Sequence, residues 1–126
     1  MKETLLLYHV EQSILEKIQK IANQLHIQIQ IIDDEDVCQT MGYILNLDGF
    51  LKNPNHEVKK DMSQEFIYFA GMSDNQLDIL LQLFKMEGIP SIPYKAMLTK
   101  HNLHYTFEEL YSNVKDEYFQ MLQMNQ

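Results

Sequence analysis

Residues 66–98 read FIYFAGMSDNQLDILLQLFKMEGIPSIPYKAML. Phe66–Ala70 is apolar on both faces and rich in β-formers, the composition of a strand in the middle of a sheet. Gly71 ends it. Ser73 and Gln76 have the spacing of a capping box, and Leu77, Leu80, Leu81 and Phe84 then recur at three- and four-residue steps. That period describes a helix with one buried face, and Gly88 stands where a left-handed C-terminal cap belongs. From Ile92 to Leu98, Ile92, Tyr94, Ala96 and Leu98 alternate with Lys95 and Met97. Pro93 lacks an amide donor, so this second strand belongs at an edge. A strand, a helix and a strand in that order wind right-handed and leave the two strands parallel.

The first half of the chain has the same rhythm. Thr4–Val10 (TLLLYHV) is a mostly apolar run of strand length, suited to the sheet centre. From Glu11 to Leu25 the apolar residues Ile14, Leu15, Ile18, Ile21, Ala22 and Leu25 follow a helical period, with Ser13 and Glu16 spaced as a capping box. Ile27–Ile32 (IQIQII) alternates, leaving Gln28 and Gln30 on a wet face, as an edge strand would. Asp33–Asp36 reads as a solvated loop whose last acid caps a short helix carrying Val37, Met41, Ile44 and Leu45. Leu51–Gln64, with Asn53-Pro54-Asn55, is the most polar stretch and reads as an exposed loop. After the second strand–helix–strand unit, Thr106 and Glu109 cap a last helix whose face is Phe107, Leu110, Tyr111, Val114, Tyr118, Met121 and Leu122.

These elements predict one domain over residues 1–126, of the α/β class. The favoured architecture is a two-layer sandwich of two βαβ units, leaning to a ferredoxin-like sheet, with an extra short helix and a C-terminal helix. A small three-layer doubly wound sheet is the alternative, and the choice turns on whether one sheet face is open.

Composition narrows the function classes. Ten Lys and Arg stand against eighteen Asp and Glu, a net charge of −8. Such a surface repels a phosphate backbone, so no nucleic-acid partner is expected. The longest apolar runs fall far short of the roughly 20 residues that span a bilayer, no signal peptide is legible at Met1, and no membrane partner is expected. One cysteine, Cys38, points to a reducing cytoplasm. His101 and His104 are three apart, but nothing beside them completes a zinc set, so no metal is expected. Gly42, Gly49, Gly71 and Gly88 are isolated, without a phosphate-binding pattern, and no cofactor is expected. No catalytic residue stands out.

One stretch differs. Lys95 and Thr99 fall on one face of the last strand, and Asn102 follows in the next turn. A cation, a hydroxyl and an amide converging at a strand end are how α/β proteins build a pocket. The competing reading is structural: Lys95 lies over apolar surface while Thr99 and Asn102 satisfy turn backbone. Leu77-Asp78, Gly88-Ile89, Lys95-Ala96-Met97-Leu98-Thr99 and Asn102 resemble a small bacterial family, a domain of unknown function, with a G-I…K-A-V-L-T…N…W pattern. Met41-Gly42-Tyr43-Ile44 is similar to its L-G-x-L element. Tyr105 stands near the tryptophan position, and this chain has no Trp. The resemblance implies a compact cytoplasmic bacterial domain and no reaction. Two functions follow as expectations. The first is a non-enzymatic interaction or regulatory module with a protein partner or a second copy, a homo-dimer, using an open sheet face or the last helix with Tyr111, Tyr118 and Phe119. The second is a small-ligand binder or enzyme with a pocket formed by Lys95, Thr99 and Asn102 near Gly42.

Overall fold

The computed structural model describes residues 1–55, 57 and 61–124. Strands β1 (Thr4–Tyr8), β2 (Gln28–Ile31), β3 (Phe66–Ala70) and β4 (Tyr94–Met97) form one sheet in the order β2-β1-β3-β4. Helices α1 (Gln12–Leu25) and α3 (Asp74–Met86) link the strands of each βαβ unit, while α2 (Met41–Ile44) and α4 (Phe107–Met124) lie outside the two units. The two apolar strands are central and the alternating and proline-flanked ones are edges, as their patterns predict. Within each unit the strands pair in parallel, and the units meet where β1 runs antiparallel to β3, from Thr4↔Ala70 to Tyr8↔Phe66. The ferredoxin-like leaning needs correction here. That sheet splits its βαβ units, whereas here each unit keeps its two strands adjacent.

The α/β sandwich forms, and it has three layers rather than the favoured two. All ten residues of β1 and β3 are buried. Leu5, Leu7, Ile67 and Phe69 pack under α1 and α3 with Ile18, Ile21, Leu80 and Phe84. Leu6, Tyr8, Phe66 and Tyr68 pack on the other side with Met41, Phe107, Leu110 and Tyr111. Side chains alternate across a strand, so a strand buried at every position needs a cover on each face. The wet Gln28 and Gln30 report only the β2 border: Gln30 Nε2 donates to the Ile44 carbonyl at 2.7 Å, and the sheet face beyond is covered.

The second unit's helix is capped as its neighbouring residues predict. Ser73 caps α3, its hydroxyl accepting from Gln76 N while Gln76 Oε1 accepts from Ser73 N. Gly88 has φ of 73° and ends that helix. Two caps moved. Helix α1 starts at Gln12, ahead of the expected Ser13 cap, and Ser13 Oγ donates instead to Glu11 Oε1. Asp36 does not cap α2; Thr40 does, accepting from Tyr43 N at 3.2 Å, while Asp34–Asp36 forms a 3-10 turn. The polar loop is stitched down at Asn53, which accepts and donates with the Gln39 side chain at 2.9 and 2.7 Å and donates to the Cys38 carbonyl. The loop reading at positions 56 and 58–60 lies outside the described residues.

Gly42 is buried in α2 because the Phe50 ring lies against it; a Cβ built there would meet that ring at 2.5 Å. Phe50 in turn packs on His104. We expect Gly42→Ala to lower unfolding free energy by about 1–3 kcal/mol through overpacking. In a Phe50→Ala background the same change becomes neutral or stabilising, because the helix-propensity gain of about 1 kcal/mol is then unopposed. Urea unfolding of the double-mutant cycle checks this, and additive penalties would refute the clash.

Candidate functional site

Among the described residues the strand that carries Lys95 pairs on one side only, with β3. Leu98 N donates to Phe69 O at 2.8 Å. In a parallel ladder alternate residues turn both backbone groups to the same side, so Tyr94, Ala96 and Leu98 face β3, while Lys95, Met97 and Thr99 turn theirs to the open edge. Two of those outward groups are taken by one side chain. Asn102 Nδ2 donates to Met97 O at 2.8 Å, and its Oδ1 accepts from Thr99 N at 3.0 Å. A carboxamide has the donor and acceptor of a peptide unit, so Asn102 pairs with the end of β4 as the backbone of a fifth strand would. The same Oδ1 accepts from the Tyr68 hydroxyl at 2.8 Å, and Asn102 N donates to Thr99 Oγ1 at 3.0 Å. Burial pushes the Tyr68 phenol above its ordinary pKa, which keeps it a hydrogen donor.

Thr99 and Asn102 are thus bonded to each other, to the end of β4 and to Tyr68. Lys95 is exposed, its Nζ 3.4 Å from Ile92 O and 3.5 Å from Ser91 Oγ. Lys95, Thr99 and Asn102 nonetheless line a common cleft of about 630 Å3 between the β4 edge and α4. Its opposite wall is Asn113, Asp116, Glu117 and Gln120, with His101 and Tyr105 at the end. Gly42 does not line it, because α2 holds that residue under Phe50. Among the described residues both sheet faces are covered, in place of the expected open face, and Tyr111 is buried, its hydroxyl accepting from Gln64 N at 3.0 Å. Phe119 is exposed and Tyr118 half-buried. Cys38 packs in the core with its sulfur 3.5 Å from Glu57 O. His101 and His104 are both exposed, one against Tyr105 and the other against Phe50.

Residues 65–121 match the family model described as Domain of unknown function (DUF3783). The matched segment runs from the residue before β3 to the last turns of α4, and it holds every residue lining the cleft. The resemblance read from Gly88-Ile89 and Lys95–Thr99 pointed to a family of that description. No curated protein and no solved structure matches the chain. Among the described residues no helix is long and apolar enough to cross a membrane, and no cluster of three or more His, Cys, Asp or Glu could hold a metal ion.

A second polar cluster lies outside the matched segment and was not legible beforehand. His9 Nε2 is 2.7 Å from Asp34 Oδ1, which also accepts from the Tyr8 hydroxyl at 2.9 Å, while Tyr8 reaches Met62 O at 2.8 Å. His9 holds φ of 54°, a left-handed conformation for a non-glycine residue. The register Leu7↔Ile31 explains the meeting: parallel strands bring the residues after each strand side by side. The His9 and Tyr8 hydrogen bonds hold the Asp34 carboxyl below its ordinary 3.8. Burial first, and Asp34 second, push the Tyr8 phenol up.

Two outcomes follow. A carboxyl with a depressed folded pKa contributes stability that is present above the unfolded value and lost as pH falls through the folded one. Stability should therefore fall on acidification below pH 3.8, and Asp34→Asn should flatten that limb of the unfolding free energy against pH; an unchanged slope refutes the pairing. Asn102→Ala strands the Tyr68 hydroxyl, Thr99 N–H and Met97 C=O together, at a cost of roughly 2–4 kcal/mol. Adding Tyr68→Phe, which removes one stranded group, should recover part of that loss in urea unfolding.

Proposed function

We propose that the chain is a non-enzymatic interaction module that takes an extended, basic peptide segment of a partner protein as a fifth strand along β4. The observation that carries this reading is the free edge itself. After Asn102 has taken Met97 O and Thr99 N, the outward N–H and C=O of Lys95 and the N–H of Met97 make no hydrogen bond among the described residues, and they border the cleft beside α4. An unpaired edge next to a helix-walled groove is the geometry of strand addition: main-chain bonds supply affinity and the groove selects alternate side chains. The acids Asp116 and Glu117 on the far wall favour a basic segment.

The same charges argue against a second copy at this edge. Antiparallel pairing of two β4 strands would bring Asp116 and Glu117 of α4 against their equivalents, in chains that each carry −8. Self-association through a sheet face loses its support because helices cover both faces. The single buried thiol is in keeping with a cytoplasmic setting for such a module.

The test uses the blocked hexapeptide Thr-Lys-Val-Lys-Val-Thr and its Glu-for-Lys counterpart as probes, followed by amide NMR shifts. The Lys peptide should perturb Lys95 and Met97 and bind several-fold tighter at low salt than the Glu peptide, a preference that fades as salt screens it. Met97→Pro removes one outward N–H and no bond of the ladder; it should abolish binding while circular dichroism stays unchanged. Shifts elsewhere, or equal binding of both peptides, would sink the reading. A mass that doubles with concentration and reverts in Met97→Pro would assign the edge to self-association instead.

A further inference from the structure

The opposite side of β4 holds a different kind of space. Between β3, β4, α3 and the turn that enters β4 lies a cavity of about 330 Å3, walled by Phe69, Leu81, Phe84 and Ile89 among other apolar side chains. Register places it there: Ile67↔Lys95 and Phe69↔Met97 put these four residues on the α3 face of the sheet. At that edge Lys95 is too polar to continue the core, so the apolar layer stops short and leaves room. Two lysines, Lys85 and Lys95, are among the lining residues, together with Ser91. Neither lysine is in an ion pair among the described residues. That is notable in a chain where acids outnumber bases eighteen to ten. Lys95 Nζ is held only by two neutral acceptors at the long end of hydrogen-bond range, Ile92 O at 3.4 Å and Ser91 Oγ at 3.5 Å.

We propose that this cavity binds a small amphiphilic monocarboxylate, with its hydrocarbon part against Phe69, Leu81, Phe84 and Ile89 and its carboxylate between Lys95, Lys85 and Ser91. Mostly apolar walls with a few polar residues among them are the usual make-up of a small-molecule site. A space of about 330 Å3 lies at the small end of ligand pockets, which suits an acid with a short hydrocarbon chain. A carboxylate would replace the long contacts of Lys95 with charge-assisted bonds, which are shorter and stronger. The site is independent of strand addition, which uses only backbone groups of β4 on its outer edge. Lys95 therefore serves the two sites through different atoms.

Octanoate, octanol and octylammonium are the probes, titrated by calorimetry and by amide NMR shifts on the full chain. Octanoate should bind saturably, shifting Leu81, Phe84, Ile89 and Lys95, and more tightly than either of the others. Lys95→Ala should weaken octanoate about fivefold, the scale of a solvent-screened ion pair, and leave octanol unchanged. Leu81→Trp fills the cavity from a half-buried position; with circular dichroism and urea unfolding confirming that it folds, it should lose all three ligands. Octanol binding as tightly as octanoate would overturn the anion site. So would octanoate binding undiminished in Leu81→Trp, or no saturable binding of octanoate to the wild type.

Discussion

The antiparallel pairing of β1 with β3 is the constraint from which the rest of the molecule follows. Each of these strands is buried at every position, and their five register pairs run the full length of both. A pair of strands this apolar, with a single Thr and two Tyr hydroxyls that are all hydrogen-bonded, is not stable on a wet surface. It must be flanked by further strands and covered above and below. The parallel partners β2 and β4 supply the flanks, α1 and α3 one cover, and α2 with α4 the other. The sheet thus parts the interior into two apolar clusters that do not mix, one rich in aromatic rings and one mostly aliphatic.

That arrangement decides where open space lies. Among the described residues both sheet faces are covered, and the two spaces at β4 lie at the border of the sheet. At β4 they are strongly asymmetric. One side has an acid-walled cleft against α4, and the other an apolar cavity with two lysines against α3. Asn102 marks where the strand edge closes, since its carboxamide occupies the last outward donor and acceptor. An exposed edge is an invitation to uncontrolled pairing unless something blunts it; here one side chain limits the open part to Lys95 and Met97.

The two βαβ units share a plan and differ in equipment. The second lies within the segment that matches the domain of unknown function, together with both spaces at β4. The first carries the Tyr8–His9–Asp34 cluster at the carboxyl ends of its parallel strands, where the left-handed His9 is held by a short bond to a carboxylate. That bond spans from the end of β1 to the turn after β2, closing the unit at the end opposite α1's C-terminal cap at His26.

Much of this was written in the order of residues. The centrality of TLLLYHV and FIYFA, the edge character of IQIQII and of the Pro93 strand, the Ser73–Gln76 cap and the Gly88 stop each depend on neighbours within one turn or one strand, so pattern alone settles them. Lys95, Thr99 and Asn102 stand close together in the sequence, and they line one cleft. Tertiary structure decided what those residues bond to and what they face. Asn102 meets Tyr68 across thirty-four positions, and His9 meets Asp34 across twenty-five; no periodicity encodes such pairs. The layer count, the order that keeps each βαβ unit whole, and the separation of Gly42 from the cleft are likewise products of chain crossing. Short-range patterning specifies which face of an element seeks cover, whereas only the folded chain specifies which other element provides it.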